Sequence, residues 1–178
     1  MTVGSRLRRF AVAFCALGIG ILLFRAQVAT SLVVRGDDFL YRRQVERARG
    51  YYVRALWFDP ESRAAADRYV FFGMQERTPA SLAASIAIAS RYLALRPDDA
   101  TVLADRALCY QIERRYSEAA PDFSHAGALA RDPRYFTFAG WAALRSGKRR
   151  EARMLWHEAL ALDGRFGPAR FALARVRP

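Results

Sequence analysis

The sequence predicts an all-α protein in which one membrane-spanning helix precedes a solenoid of antiparallel helix pairs, about four repeats long. Three observations predict it. An uninterrupted apolar run, Phe10 to Phe24, follows a basic start. Small, aromatic and alanine positions then recur at nearly constant intervals through the rest of the chain. No apolar–polar alternation runs long enough to build a sheet.

The amino-terminal element comes first. Arg6, Arg8 and Arg9 precede the apolar run, Arg25 follows it, and the milder stretch 26–34 leads to Arg35. Fifteen residues make about 22 Å of helix, short of the ~20 residues that usually span a bilayer. Leu7 and a snorkelling Arg25 bring it to spanning length. A signal peptide has a similar look, but cleavage after Ala29 would place Gln27 where a small residue is preferred. Residues 1–28 therefore read as a retained transmembrane anchor and residues 29–178 as the helical-repeat solenoid domain. Arg6, Arg8, Arg9, Arg25 and Arg35 are its expected contacts with anionic headgroups. The arginine bias places the N-terminus in the cytoplasm and the domain in the periplasm of a bacterial inner membrane. Ala13, Ala16, Gly18 and Gly20 offer small side chains against which another membrane helix can pack closely.

The repeat follows. Gly36 and Phe39 precede Ala48, Tyr52 and Ala55, and Pro60 closes the set. Ala107 and Tyr110 precede Ala119, Phe123 and Ala126. Gly140 and Ala143 precede Ala152, Trp156 and Ala159. Ser85, Ala89 and Tyr92, closed by Pro97, form a weaker copy that is too long around Thr78–Ser81. Alanine, ring and alanine at i, i+4 and i+7 share one helical face, where the small residues let a neighbouring helix come close.

This pattern resembles the tetratricopeptide repeat (TPR) family, whose signature joins W-x₂-L-G-x₂-Y to A-x₃-F and a closing proline. The strings ALCYQIERRYSEAAPDFSHAGAL and GWAALRSGKRREARMLWHEALAL carry the likeness best. Arg35 and Arg106 depart from it, standing where the family has leucine, and Gly164 stands where it has the last proline. The resemblance covers Ala29 to Leu162 and implies a helix–turn–helix solenoid.

Start and stop signals set the helices near 29–42, 45–58, 63–76, 79–95, 99–113, 117–130, 133–146 and 149–162, with a short cap near 167–176. Thr78 before Pro79, Asp98 or Asp99, and Asp132 before Pro133 are the N-caps, and Gly147 marks a turn. Pro121 is expected near a first turn, where a proline costs little.

Composition removes most chemistry. The chain has 178 residues, is 53% apolar and carries a net charge of +12, so it is no disordered basic tail. Residues 1–35 hold five arginines and no acid. Cys15 and Cys109 are too few and too far apart for a cysteine zinc site or a disulfide scaffold. His125 and His157 occupy near-equivalent repeat positions and do not suggest a metal pair. Asp37–Asp38 and Asp98–Asp99 sit at turns or helix starts, where capping accounts for them. No phosphate-binding glycine loop, nucleophile elbow or zinc-protease motif is present. No enzymatic activity and no cofactor are expected.

What remains is recognition surface. By the register of the resemblance, the first helices of the repeats line a partner groove through Asp67, Phe71, Met74, Gln75, Leu108, Gln111, Ile112, Thr137, Trp141 and Arg145. The expected partners are other membrane-protein subunits, with anionic lipid headgroups second. Nucleic acid is not expected, because the arginine clusters lack interleaved exposed aromatics. The expected function is that of an accessory scaffold in an inner-membrane complex. The alternative is an assembly factor or chaperone-like adaptor holding a client segment in the groove, and a third, less favoured reading is an arginine-driven binder of nucleic acid or anionic lipid.

Overall fold

The computed structural model describes the backbone of residues 3–176 and the side chains of residues 18–176. These residues form nine α-helices and no strand. In order they are α1 (Val3–Tyr41), α2 (Val45–Phe58), α3 (Arg63–Glu76), α4 (Pro79–Leu95), α5 (Ala100–Ile112), α6 (Tyr116–Ala130), α7 (Pro133–Arg145), α8 (Arg149–Leu162) and α9 (Gly167–Arg175). One long N-terminal helix is thus followed by the helix pairs of a solenoid. The chain divides into two compact units, Met1–Ala65 and Ala66–Pro178.

In the first unit, the apolar N-terminal segment and the first repeat helix are one uninterrupted 39-residue helix. Within it Gly18–Tyr41 is long and apolar enough to cross a membrane. The C-terminal half of α1 packs on α2. Ala29, Val33 and Gly36 are buried, and Tyr52 of α2 lies against Gly36 so closely that a Cβ there would meet the ring at 2.5 Å. The Tyr52 hydroxyl donates to Asp37 Oδ1 at 2.8 Å, and Phe39 stacks on Tyr51 at 5.1 Å between centroids.

The second unit repeats the device. Gly140 of α7 faces the Trp156 ring of α8, where a Cβ would lie 2.6 Å from Trp156 Cδ1, and the indole Nε1 donates to the Thr137 carbonyl at 3.3 Å. Tyr52, Phe123 and Trp156 are each 0% exposed, as are the alanines that flank them at positions 48, 55, 119, 126, 152 and 159. Alanine opposite a large ring brings the helix axes close and fills the space between them. Ser85, Ala89 and Tyr92 make the same stripe on α4, with a serine at the first alanine position.

The caps form at the expected residues. Thr78 Oγ1 accepts from Ser81 N at 3.1 Å in a capping box. Asp99 Oδ1 accepts from Thr101 N and Val102 N, and Asp132 Oδ1 from Arg134 N at 2.9 Å. The turn inside each pair holds one left-handed residue: Arg43, Arg77, Arg114 and Gly147, at φ between 54° and 85°. The extra length of the second copy falls in α4, which has 17 residues where α2 and α8 have 14. Pro121 differs from expectation. α6 opens at Tyr116, so the proline stands in the second turn and leaves the Ser117 carbonyl without its helical donor.

Candidate partner-binding site

In the second unit, α5, the first turn of α6 and α7 enclose an open cleft of about 310 Å³. Its walls are Gln111, Tyr116, Phe138, Trp141, Ala142 and Arg145. Helical spacing explains why α7 supplies most of them. Phe138, Trp141, Ala142 and Arg145 recur at three or four positions and form one stripe, while Ala139, Gly140 and Ala143 turn into the core.

Trp141 is the rigid element. Its ring packs edge-on against the buried Trp156 at 5.1 Å, and its outer part remains half-buried at the cleft. The Arg145 guanidinium lies 5.9 Å from the Tyr116 ring centroid and has no carboxylate in ion-pairing distance among the described residues. Gln111 stands exposed on the opposite wall. The cleft therefore offers an aromatic floor, one unneutralised cation and one amide that can donate and accept. That combination suits an extended or helical segment of another protein with an apolar residue beside a polar or acidic one.

Three of the ten groove residues named from sequence thus meet here: Gln111, Trp141 and Arg145. Thr137 does not line a surface. It is 3% exposed and its hydroxyl donates to the Pro133 carbonyl at 2.9 Å, because its position on α7 faces α8. Leu108 and Ile112 are half-buried on α5 and form no wall of the cleft. Asp67, Phe71, Met74 and Gln75 lie on α3 and are not among its walls; Asp67 pairs with Arg68 at 3.2 Å, and Phe71 is exposed. Tyr116 and Phe138 were not anticipated. Tyr116 falls between the helices expected near 99–113 and 117–130, and Phe138 sits one residue after the position that the register of the resemblance points to.

The N-terminal residues named from sequence divide. Ala13, Ala16, Arg6, Arg8 and Arg9 lie outside the described side chains. Gly18 and Gly20 are exposed with open space around them. Arg35 borders a depression of about 380 Å³ on α1 with Phe24, Gln27, Val28, Ser31 and Leu32. Arg25 Nε donates to the Phe58 carbonyl at 2.8 Å and so caps the C-terminus of α2.

Other chemistry-bearing groups have structural partners. His125 Nε2 lies 3.4 Å from Asp98 Oδ1. Cys109 is buried, and burial pushes its thiol up to about 12. In the basic cluster after α7, Lys148 pairs with Glu151 and Arg153 donates to the Val176 carbonyl at the end of α9.

No protein-family model matches the sequence, and no curated protein matches it. Solved structures do. The chain is similar to a structure from the functional characterisation of Pseudomonas aeruginosa pilF, at 22% identity and a TM-score of 0.63 over 85% of this chain and 68% of that one. It is similar to a tetratricopeptide repeat protein from Parabacteroides merdae at 16% identity and a TM-score of 0.66, over 84% of this chain and 59% of that one. It is similar to TTC0263, a thermophilic TPR protein of Thermus thermophilus, at 20% identity and a TM-score of 0.57, over 94% of this chain and 95% of that one. At these identities the likeness is one of fold. The fold is that of TPR proteins, a helical-repeat scaffold suited to protein–protein interaction.

Proposed function

We propose that this chain is a non-catalytic, membrane-anchored TPR-like scaffold, acting as an accessory or stabilising subunit of a bacterial inner-membrane complex such as a photosynthetic, respiratory or secretory assembly. The observation that carries the reading is the division of labour along α1. Ile19, Ile21, Leu22, Leu23 and Phe24 are all exposed, whereas Ala29 and Val33 are buried as the first helix of the first repeat. Consecutive exposed apolar residues point in every direction around a helix, which water does not favour and lipid or a partner helix does. The anchor holds other membrane subunits, with the N-terminus in the cytoplasm and the repeats in the periplasm. The cleft beside α7 holds a second segment.

The cleft also favours a second reading, an assembly factor or adaptor that grips a client segment transiently. Trp141→Ala separates the two. Crosslinking from a photoreactive residue at position 111 would report cleft occupancy in native membranes. Under the adaptor reading, the crosslinks and the association both disappear in Trp141→Ala. Under the subunit reading, association through α1 survives while the cleft crosslink weakens. A chain that crosslinks from neither position 111 nor α1 would contradict both.

A further inference from the structure

We infer that Trp57 seats in the headgroup layer of the bilayer beside Arg25, so that the end of α2, together with α1, sets the depth of the chain in the membrane. The inference rests on the anchored reading above.

The hydrocarbon boundary has two candidate levels on α1. At Arg35, the segment from Arg9 would be about 39 Å of helix, and α2 would be drawn into the hydrocarbon with it. α2 packs along Ala29–Gly36 and carries Glu46, Arg47, Arg49 and Arg54, whose charges do not enter lipid cheaply. At Arg25, the segment from Arg9 is about 24 Å, a mismatch that modest thinning of the bilayer accommodates. The boundary therefore falls where the contact between α1 and α2 begins.

That is the level of Trp57. Arg25 Nε holds the Phe58 carbonyl at 2.8 Å, which fixes the end of α2 against the end of the exposed apolar band. Trp57 is 73% exposed, and Phe24 beside Arg25 is 65% exposed. Phe58 braces Trp57 edge-on at 4.9 Å, so the indole projects from a fixed base. An indole has an apolar body and one N–H donor, and it partitions to the lipid carbonyl and headgroup region. A large exposed ring at the junction of an apolar band and a guanidinium fits that layer better than it fits water.

The experiment uses the full chain in phosphatidylcholine vesicles that carry a nitroxide either near the headgroup or deep in the acyl chain. Vesicle flotation is measured on the same samples. The chain is expected to float. Its tryptophan emission should be quenched more by the shallow nitroxide than by the deep one, and Trp57→Phe should lose most of that quenching. Trp57→Cys bearing a spin label gives the same depth independently. A chain that floats but shows equal quenching with and without Trp57 would overturn the inference alone and leave the ring to water or to a partner protein. Stronger quenching from the deep nitroxide would also overturn it. A chain that does not float would sink the anchored reading as well.

Discussion

Arg106 holds Asp122 through two parallel hydrogen bonds, Nε to Oδ2 at 2.7 Å and Nη2 to Oδ1 at 2.8 Å, and gives its remaining Nη1 to Ser90 Oγ at 3.1 Å. One guanidinium thus links α4, α5 and α6. The bidentate bond to Asp122 raises the Arg106 pKa and so favours the charged guanidinium. Both side chains are mostly buried. Removing one partner leaves the other's charge uncompensated. Arg106→Ala should lower unfolding stability by about 3 kcal/mol, measured by chemical denaturation of the detergent-solubilised chain. Arg106→Leu combined with Asp122→Leu should recover most of that loss, since apolar packing can replace a buried ion pair. A double variant as unstable as the single one would refute the pairing.

The arginines at left-handed turn positions give a second prediction. Arg77 and Arg114 have φ of 54° and 60° where Gly147 serves the equivalent turn. A side chain costs energy in that region and glycine does not. Arg77→Gly and Arg114→Gly should each raise stability by about 0.5–1 kcal/mol in the same measurement. A loss of stability in both would show that the side chains make contacts that outweigh the backbone term.

Pro121 gives a third. In the second turn of α6 it removes one helical hydrogen bond and crowds the Ser117 carbonyl. Its side chain is exposed, so little packing is lost on replacement. Pro121→Ala should stabilise the chain by roughly 1–3 kcal/mol and raise its thermal midpoint. An unchanged midpoint would mean that the proline's restriction of the unfolded chain offsets its cost.

Cys109 gives a fourth. Burial holds its pKa near 12, above the ordinary thiol value of 9.0. The folded state therefore favours the neutral thiol. That contribution is complete below the ordinary thiol pKa and is lost as pH rises through 9 toward 12. In a Cys15→Ser background, iodoacetamide should leave the native chain unmodified at mildly alkaline pH and alkylate it fully once denatured. Rapid native alkylation would contradict the burial.

The sequence and the structure agree where the physics is local. Periodicity and start and stop signals located α2, α3, α4 and α8 to the residue, because Pro79, Pro60 and the alanine–ring stripes act within one or two turns. The buried rings Tyr52, Phe123 and Trp156 were legible for the same reason. What was not legible depends on partners far along the chain. Arg106 looked like a departure from the repeat because its partner Asp122 lies 16 residues away. Arg25 looked like an end to the apolar helix, yet it caps a helix whose last carbonyl is 33 residues on. At the cleft, Trp141 and Arg145 followed from register. Phe138 stands in the cleft where register pointed to Thr137, because groove and core faces of α7 are separated by a single residue step.

Native mass measurement of the complex extracted in mild detergent from cells that make the protein tests the central claim most directly. A scaffold that holds neighbours through α1 and the cleft beside α7 should emerge in a defined assembly well above the 20.1 kDa of the chain, and should persist there after dilution. A monodisperse monomer at native abundance would contradict the account.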